Sequence, residues 1–76
     1  MEIQEFIKNF ASLFEETPLN EFEEKTRFRD LENWDSMVAL SITAMVDEIY
    51  KVKISPNEMK QSSTIRDIFD VVNAKK

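Results

Sequence analysis

Between Ile3 and Phe14 the apolar residues Ile3, Phe6, Ile7, Phe10, Leu13 and Phe14 recur at intervals of three and four, which places them along one side of a helix. Polar residues fill the other side. Glu2 and Glu5 suit the positive end of the helix dipole, whereas Glu15 and Glu16 oppose its negative end, so the helix is predicted to stop near Phe14. Thr17-Pro18 then closes it. The Phe-rich stripe reads as core.

No period is sustained from about Thr17 to Trp34, which predicts a loop. A loop of that length needs anchors in a small domain, and Leu19, Phe22, Phe28 and Leu31 are apolar enough to pin it over the helices. Its charged residues, Glu21, Glu23, Glu24, Lys25, Arg27, Arg29, Asp30 and Glu32, nearly alternate in sign towards the end and read as solvated surface. An EF-hand reading of Asp30 to Ser41 fails, because the turn glycine and the terminal glutamate are missing.

A second helix is predicted from about Ser36 to Tyr50. At about 100° per residue, Val38, Ile42, Met45, Val46 and Ile49 share one side, and Met37, Leu40, Ser41, Ala44 and Glu48 the other. The first set predicts a core face. The second mixes apolar residues with acids, Asp47 at its edge, which is the composition of a docking surface. Lys51 to Lys53 end the helix where cations are favourable, and Val52 and Ile54 alternate as a short extended link.

Ser55-Pro56-Asn57-Glu58 is a capping box with proline at the first helical position, predicting a short third helix over Met59. Ser62-Ser63 breaks it. Thr64 with Asp67 forms a second capping box, opening a last helix whose Ile65, Ile68, Phe69 and Val72 share a face, with a frayed lysine-ended tail. The chain has no glycine, so its tight turns are expected to rely on Asn20, Asn33, Asn57 and the two prolines. The pattern as a whole predicts an all-α four-helix bundle, three longer helices and one short, in a single domain spanning residues 1–76.

Totals narrow the chemistry. With 76 residues the core is small, and 42% hydrophobic with 33% charged residues is ordinary globular composition. Cysteine and histidine are both absent, which removes the usual nucleophile, neutral-pH base and transition-metal ligands. Catalysis by this chain is not expected. A formal charge of −5 argues against a nucleic-acid partner and for partners with basic docking surfaces. The opening Glu2, the lack of a basic leader and the lack of a membrane-length apolar run predict a cytoplasmic protein, and a monomer is expected.

The most informative stretch is Leu31-Glu32-Asn33-Trp34-Asp35-Ser36-Met37, where a polar loop with one aromatic enters the second helix through an Asp-Ser pair. Asp or Ser before an apolar-periodic run is the usual N-cap choice. Ser36 is thereby placed at a helix mouth, where free N–H groups and the dipole favour an anion. By itself an Asp-Ser pair does no more than cap.

Its setting resembles the acyl carrier protein family, in which a small acidic helical domain carries 4′-phosphopantetheine, derived from coenzyme A, on the serine of an Asp-Ser-Leu or Asp-Ser-Met motif. The matching residues are Asp35, Ser36 and Met37. The resemblance extends over the leading helix, the loop with its Phe28–Leu31 pattern, the helix after the motif, and the Ile54-Ser55-Pro56 junction into two closing helices. It implies a covalent arm on Ser36, a motif role for Asp35 in recognition by a phosphopantetheinyl transferase, and a thioester on the arm's thiol. The exposed side of the second helix, with Trp34, Met37, Leu40, Ser41, Ala44, Asp47 and Glu48, is then the face that partner ligases, synthases or acyltransferases grip.

The resemblance further implies an acyl chamber lined by Phe28, Ile42, Val46, Ile54, Met59 and Ile68; a solid core would hold the same residues. Two departures stand out. Asn33-Trp34 replaces the glycine usual before the Asp-Ser pair, and Val38 and Ser41 stand where fatty-acid carriers carry acids. Both point away from docking with a fatty acid synthase set and towards a dedicated pathway with its own ligase and transferase; fatty acid, polyketide and other specialised acyl-transfer pathways all stay open. Trp34 is either a loop anchor or an exposed recognition handle, and its place beside polar residues and the serine favours the handle. Two other functions remain open: a helical adaptor that binds a partner through Met37, Leu40 and Ala44 with no prosthetic group, and a catalytic domain built on carboxylates. Acyl, aminoacyl and hydroxyacyl cargoes are equally compatible with the chain.

Overall fold

The computed structural model describes residues 2–14, 19–31 and 34–76. The predicted closing pair Thr17-Pro18 and the turn residue Asn33 lie outside them. Among the described residues four helices are present: α1 (Ile3–Ala11), α2 (Ser36–Tyr50), α3 (Pro56–Gln61) and α4 (Ile65–Lys75). This is the predicted all-α arrangement of three longer helices and one short. Among the described residues no strand forms, only an isolated antiparallel bridge between Arg27 and Thr64. Helix α1 packs against α2 and α4, and α3 against α4.

Regular α-helix ends at Ala11, before Phe14. The chain continues through two tighter turns, Leu13 N to Phe10 O at 3.2 Å and Phe14 N to Ala11 O at 2.9 Å. These bring Phe14 into the core, with ring centroids 5.6 Å from Phe10 and 5.3 Å from Phe22. Aromatic contacts run on from there. Phe10 lies 5.9 Å from Phe28, and Phe28 lies 4.9 Å from Trp34, so α1 is connected through the loop to the residue that precedes Asp35. Burial of so many large rings is how a short chain obtains enough apolar contact.

Among its described residues the loop contains two 3-10 turns, Leu19–Glu21 and Phe28–Asp30. Phe22 and Phe28 are buried and Leu31 half-buried, as expected of anchors. Leu19 is not an anchor. It stands 51% exposed, because Phe22 already occupies the site against Phe10 and Phe14. The loop is held at its other side by α4, whose first amides donate into it: Ile65 N to Thr26 O at 3.2 Å and Arg66 N to Glu24 O at 2.8 Å. The Arg66 side chain adds an ion pair to Glu24 at 3.2 Å.

Helix α2 has the predicted span, but its buried stripe differs from the predicted face. Ile42, Met45, Val46 and Tyr50 are buried, Val38 is half-buried, and Ile49 is 49% exposed. Ile42, Val46 and Tyr50 follow an i, i+4 row, which is inclined to the helix axis, so contact with neighbours slants around the helix. At its end the neighbour is α1, where Phe6 meets the Tyr50 ring at 5.6 Å and Asn9 Nδ2 donates to Tyr50 Oη at 2.9 Å. Ile49 is thereby turned outward. Lys51 follows with φ 60°, the one non-glycine positive φ among the described residues. The expectation that asparagine would take such a turn fails here, because the helix ends where the pattern ends and lysine occupies that place.

Both capping boxes form as predicted, Ser55 with Glu58 and Thr64 with Asp67, and Pro56 opens α3. The tail is not frayed. Helix α4 reaches Lys75, whose Nζ donates to Lys53 O at 2.9 Å and Glu58 Oε1 at 2.6 Å. That lysine ties the end of α4 to the link and to α3.

Candidate functional site

Asp35, rather than Ser36, is the N-cap of α2. Its backbone is extended, with φ −154°, and its Oδ1 accepts from Val38 N at 2.9 Å. Ser36 is the first helical residue and is exposed. The carbonyl of Asp35 accepts from Ala39 N at 3.1 Å. Among the described residues, the amides of Ser36 and Met37 meet no acceptor, and no acid lies in the first turn. A 15-residue helix therefore directs two unused N–H groups and its positive end to the place where the Ser36 hydroxyl stands.

From Ser36 an exposed side runs along α2 through Met37, Leu40, Ser41, Ala44, Asp47 and Glu48. Met37 is 70% exposed and Leu40 64%, which is far more than core duty allows. The Ser41 hydroxyl bonds back to Met37 O at 3.0 Å and the Thr43 hydroxyl to Leu40 O at 2.8 Å. These hydroxyls are satisfied within the helix.

Trp34 departs from the exposed handle. It is half-buried, its ring tilted against Phe28 at 4.9 Å, and so anchors the loop at the start of α2. It also belongs to a groove of about 460 Å³ between α2 and α3. Trp34, Ala39, Leu40, Ile54, Pro56 and Met59 supply the apolar lining, and Arg29, Ser36, Thr43 and Lys60 the polar lining. Of the six residues expected around a chamber, the structure brings only Ile54 and Met59 to this groove. Phe28, Ile42, Val46 and Ile68 are closed into the core, because α1 and α4 pack over that side.

Arg29, Thr43, Pro56 and Lys60 were not legible as groove residues. Arg29 sits in a stretch of mixed charge, which ordinarily means solvated surface. Its Nη2 instead donates to Met59 O at 2.6 Å and Lys60 O at 2.9 Å, and its guanidinium carbon lies 5.3 Å from the Phe28 ring centroid. A cation at the last carbonyls of α3 is electrostatically favourable. Arg29 thus joins the loop to the helix that forms one wall of the groove.

Two acids hold this surround in place. The Lys75 ammonium beside Glu58, together with the Ser55 amide, holds the Glu58 carboxyl below its ordinary range. The Ser63 and Thr64 amides do the same for Asp67. Among the described residues no cluster of three or more His, Cys, Asp or Glu side chains is placed to hold a metal ion. No helix there is long and apolar enough to cross a membrane.

Comparison with curated proteins yields no match. The family model described as the phosphopantetheine attachment site matches residues 5–72, a span that takes in all of α2 and α3 and most of α1 and α4. An exposed serine opening a helix beside an apolar groove, within a four-helix frame matched over nearly its whole length, leads to one assignment: the chain belongs to the phosphopantetheine-binding family of carrier proteins, which includes the acyl carrier proteins and whose prosthetic group is a covalently attached 4′-phosphopantetheine.

Proposed function

We propose that Ser36 is the attachment point of the phosphopantetheine arm and that the chain carries an acyl group to the enzymes of a specialised acyl-transfer pathway. The observation that carries the reading is the exposed Ser36 hydroxyl beside the unused amides of Ser36 and Met37 at the positive end of α2. A phosphodiester is an anion, and such a helix start lowers its electrostatic cost. The groove that includes Ser36 is of a size to take a small apolar ligand.

In the loading reaction, Ser36 Oγ forms a bond to the phosphorus of coenzyme A that carries the pantetheine. The pyrophosphate P–O bond breaks, adenosine 3′,5′-bisphosphate leaves, and the hydroxyl proton passes to the base of the transferase. Asp35 stands beside the incoming phosphate, where a magnesium ion held by the transferase would offset its charge. When bound, the arm supplies a thiol, the thioester-forming group that a chain without cysteine lacks. The chain's own residues place and shelter: Asp35 fixes the helix start, Trp34 holds the loop against Phe28, and α2 with α3 forms the groove.

Met37, Leu40, Ser41, Ala44, Asp47 and Glu48, with Trp34 at the rim, form the face for the transferase and for ligase, synthase or acyltransferase partners. Their few acids and two exposed apolar side chains suit partners that are less basic than those of central fatty acid synthesis. The chain acts as a monomeric cytoplasmic carrier and is itself a substrate, not a catalyst. Co-expression with a broad-range phosphopantetheinyl transferase and intact-mass measurement tests the reading. One phosphopantetheine is added to the wild type and none to Ser36→Ala. An unmodified wild type beside a modified control carrier overturns it, and the exposed Met37 and Leu40 then favour an adaptor that needs no prosthetic group.

A further inference from the structure

The groove between α2 and α3 has a charge character opposite to that of the chain. Although the protein carries a formal charge of −5, the charged residues that line the groove among the described residues, Arg29 and Lys60, are both cations. The remaining polar lining is hydroxyl, and the Thr43 hydroxyl is already bonded to Leu40 O. An uncharged alkyl guest would require neither cation.

Arg29 is fixed in this position by the wall itself. Its Nη2 spans the carbonyls of Met59 and Lys60, and its guanidinium lies near the Phe28 face. Among the described residues its Nε and Nη1 donate to no protein acceptor and Lys60 enters no ion pair. Arginine never loses its charge at ordinary pH, so donors that are unused here stay available to an anion. Apolar side chains line the rest of the groove, so the complementary guest has an apolar stem and an anionic end.

We propose that the cargo seated in this groove is an acyl group ending in a carboxylate, with Arg29 and Lys60 as the residues that select it. This rests on Ser36 as the attachment point. Of the cargo classes that the chain leaves open, the aminoacyl class is disfavoured, since its ammonium would meet two like charges. A plain alkyl chain is accepted, but without the ionic contribution.

Three coenzyme A analogues test this, bearing six-carbon hexanoyl, 5-carboxypentanoyl and 6-aminohexanoyl groups through a stable amide in place of the thioester. A broad-range transferase loads each onto the protein, and intact mass reports loading. Seating is read from the emission of the single tryptophan, Trp34, which lines the groove, and from amide NMR shifts of Leu40, Ile54 and Met59. The carboxylated form is expected to seat about two- to five-fold more than the alkyl form at low salt, as for an exposed ion pair. High salt removes the difference, and the ammonium form seats least.

Lys60→Gln and Arg29→Gln each reduce the carboxylate preference; among the described residues the Lys60 side chain makes no hydrogen bond, so Lys60→Gln reads selection without removing the Arg29 bonds to α3. Equal seating of all three forms, or an alkyl preference, overturns the inference while attachment at Ser36 stands. A carboxylate preference that survives both substitutions overturns it too. Equal losses for all three forms in the variants would mean that the cations serve the shared phosphodiester, which also overturns the cargo assignment. Absence of added mass overturns the attachment reading and this one with it.

Discussion

Helices α2 and α4 begin with the same type of device and finish it differently. At α4 the amides of Ile65 and Arg66 donate to Thr26 O and Glu24 O, and Asp67 N to Thr64 Oγ1 at 3.2 Å. Asp67 Oδ2 in turn accepts from the amides of Ser63 and Thr64 at 2.9 and 3.0 Å. Every donor of that end has a partner, and the loop that precedes α2 is fastened in the process. At α2 only Val38 N receives a side-chain cap, because the third helical position, where an acid would reach back, is Val38. The closed end holds the fold together. The open end, among the described residues, keeps the amides of Ser36 and Met37 without an acceptor.

The sharpest way to break this contrast is Ser36→Ala, which removes the hydroxyl from the open end. Complete loss of added mass is expected with transferase present. Thermal unfolding should be nearly unchanged, since exposed substitutions away from caps and core shift stability by about 0.5 kcal/mol or less.

Met37→Glu fills the open end with a carboxylate of its own. Helix α2 gains about 0.3–1 kcal/mol from the dipole, seen as a raised thermal midpoint. Modification slows by roughly tenfold through repulsion of the incoming phosphate and loss of an exposed apolar contact, measured as the rate of mass addition. A variant both more stable and modified as fast as wild type would show that the open end has no part in loading.

A third comparison removes the two caps. Thr64→Ala breaks a reciprocal box and is expected to cost about 1–2 kcal/mol, and Asp35→Ala, a one-sided cap, about 0.5–1 kcal/mol. For a domain of this size each kcal/mol lowers the thermal midpoint by about 4–8 °C. The reverse order would mean that α2 is the better secured of the two starts.

The smallest effect is with pH. Glu58 and Asp67 bind protons more weakly in the folded chain than unfolded, so their contribution is complete above their unfolded pKa values, near 4. It is lost as the pH falls through the lower folded values. The urea midpoint should therefore decline from pH 5 to pH 3. Combining Glu58→Gln with Asp67→Asn should flatten that decline.

Much of the frame was legible from local patterns. The span of α2, the proline-led box of α3 and the box of α4 each depend on residues within four positions of one another, and they formed where expected. What was misjudged depended on neighbours distant in sequence. Ile49 shares the predicted core face but is exposed because α1 lies to the Tyr50 side, and Leu19 is displaced by Phe22. Lys75 ends an ordered helix because Glu58 and the Lys53 carbonyl are within reach. At the site, the helix-start position of Ser36 was legible, while the packing of Trp34 on Phe28 and the reach of Arg29 to α3 were not.

By itself, the order of residues determined where α2, α3 and α4 begin, and which serine stands at a helix mouth, because caps and periodicity are settled over a few bonds. Only the tertiary structure decided that Ile54 and Met59 line a groove between α2 and α3 while Phe28, Ile42, Val46 and Ile68 are closed into the core. It also decided that the groove's charged lining, among the described residues, is cationic. Arg29 and Lys60 are brought together across 31 positions by the packing of the loop against α3, and no local preference encodes which charges then face the same space.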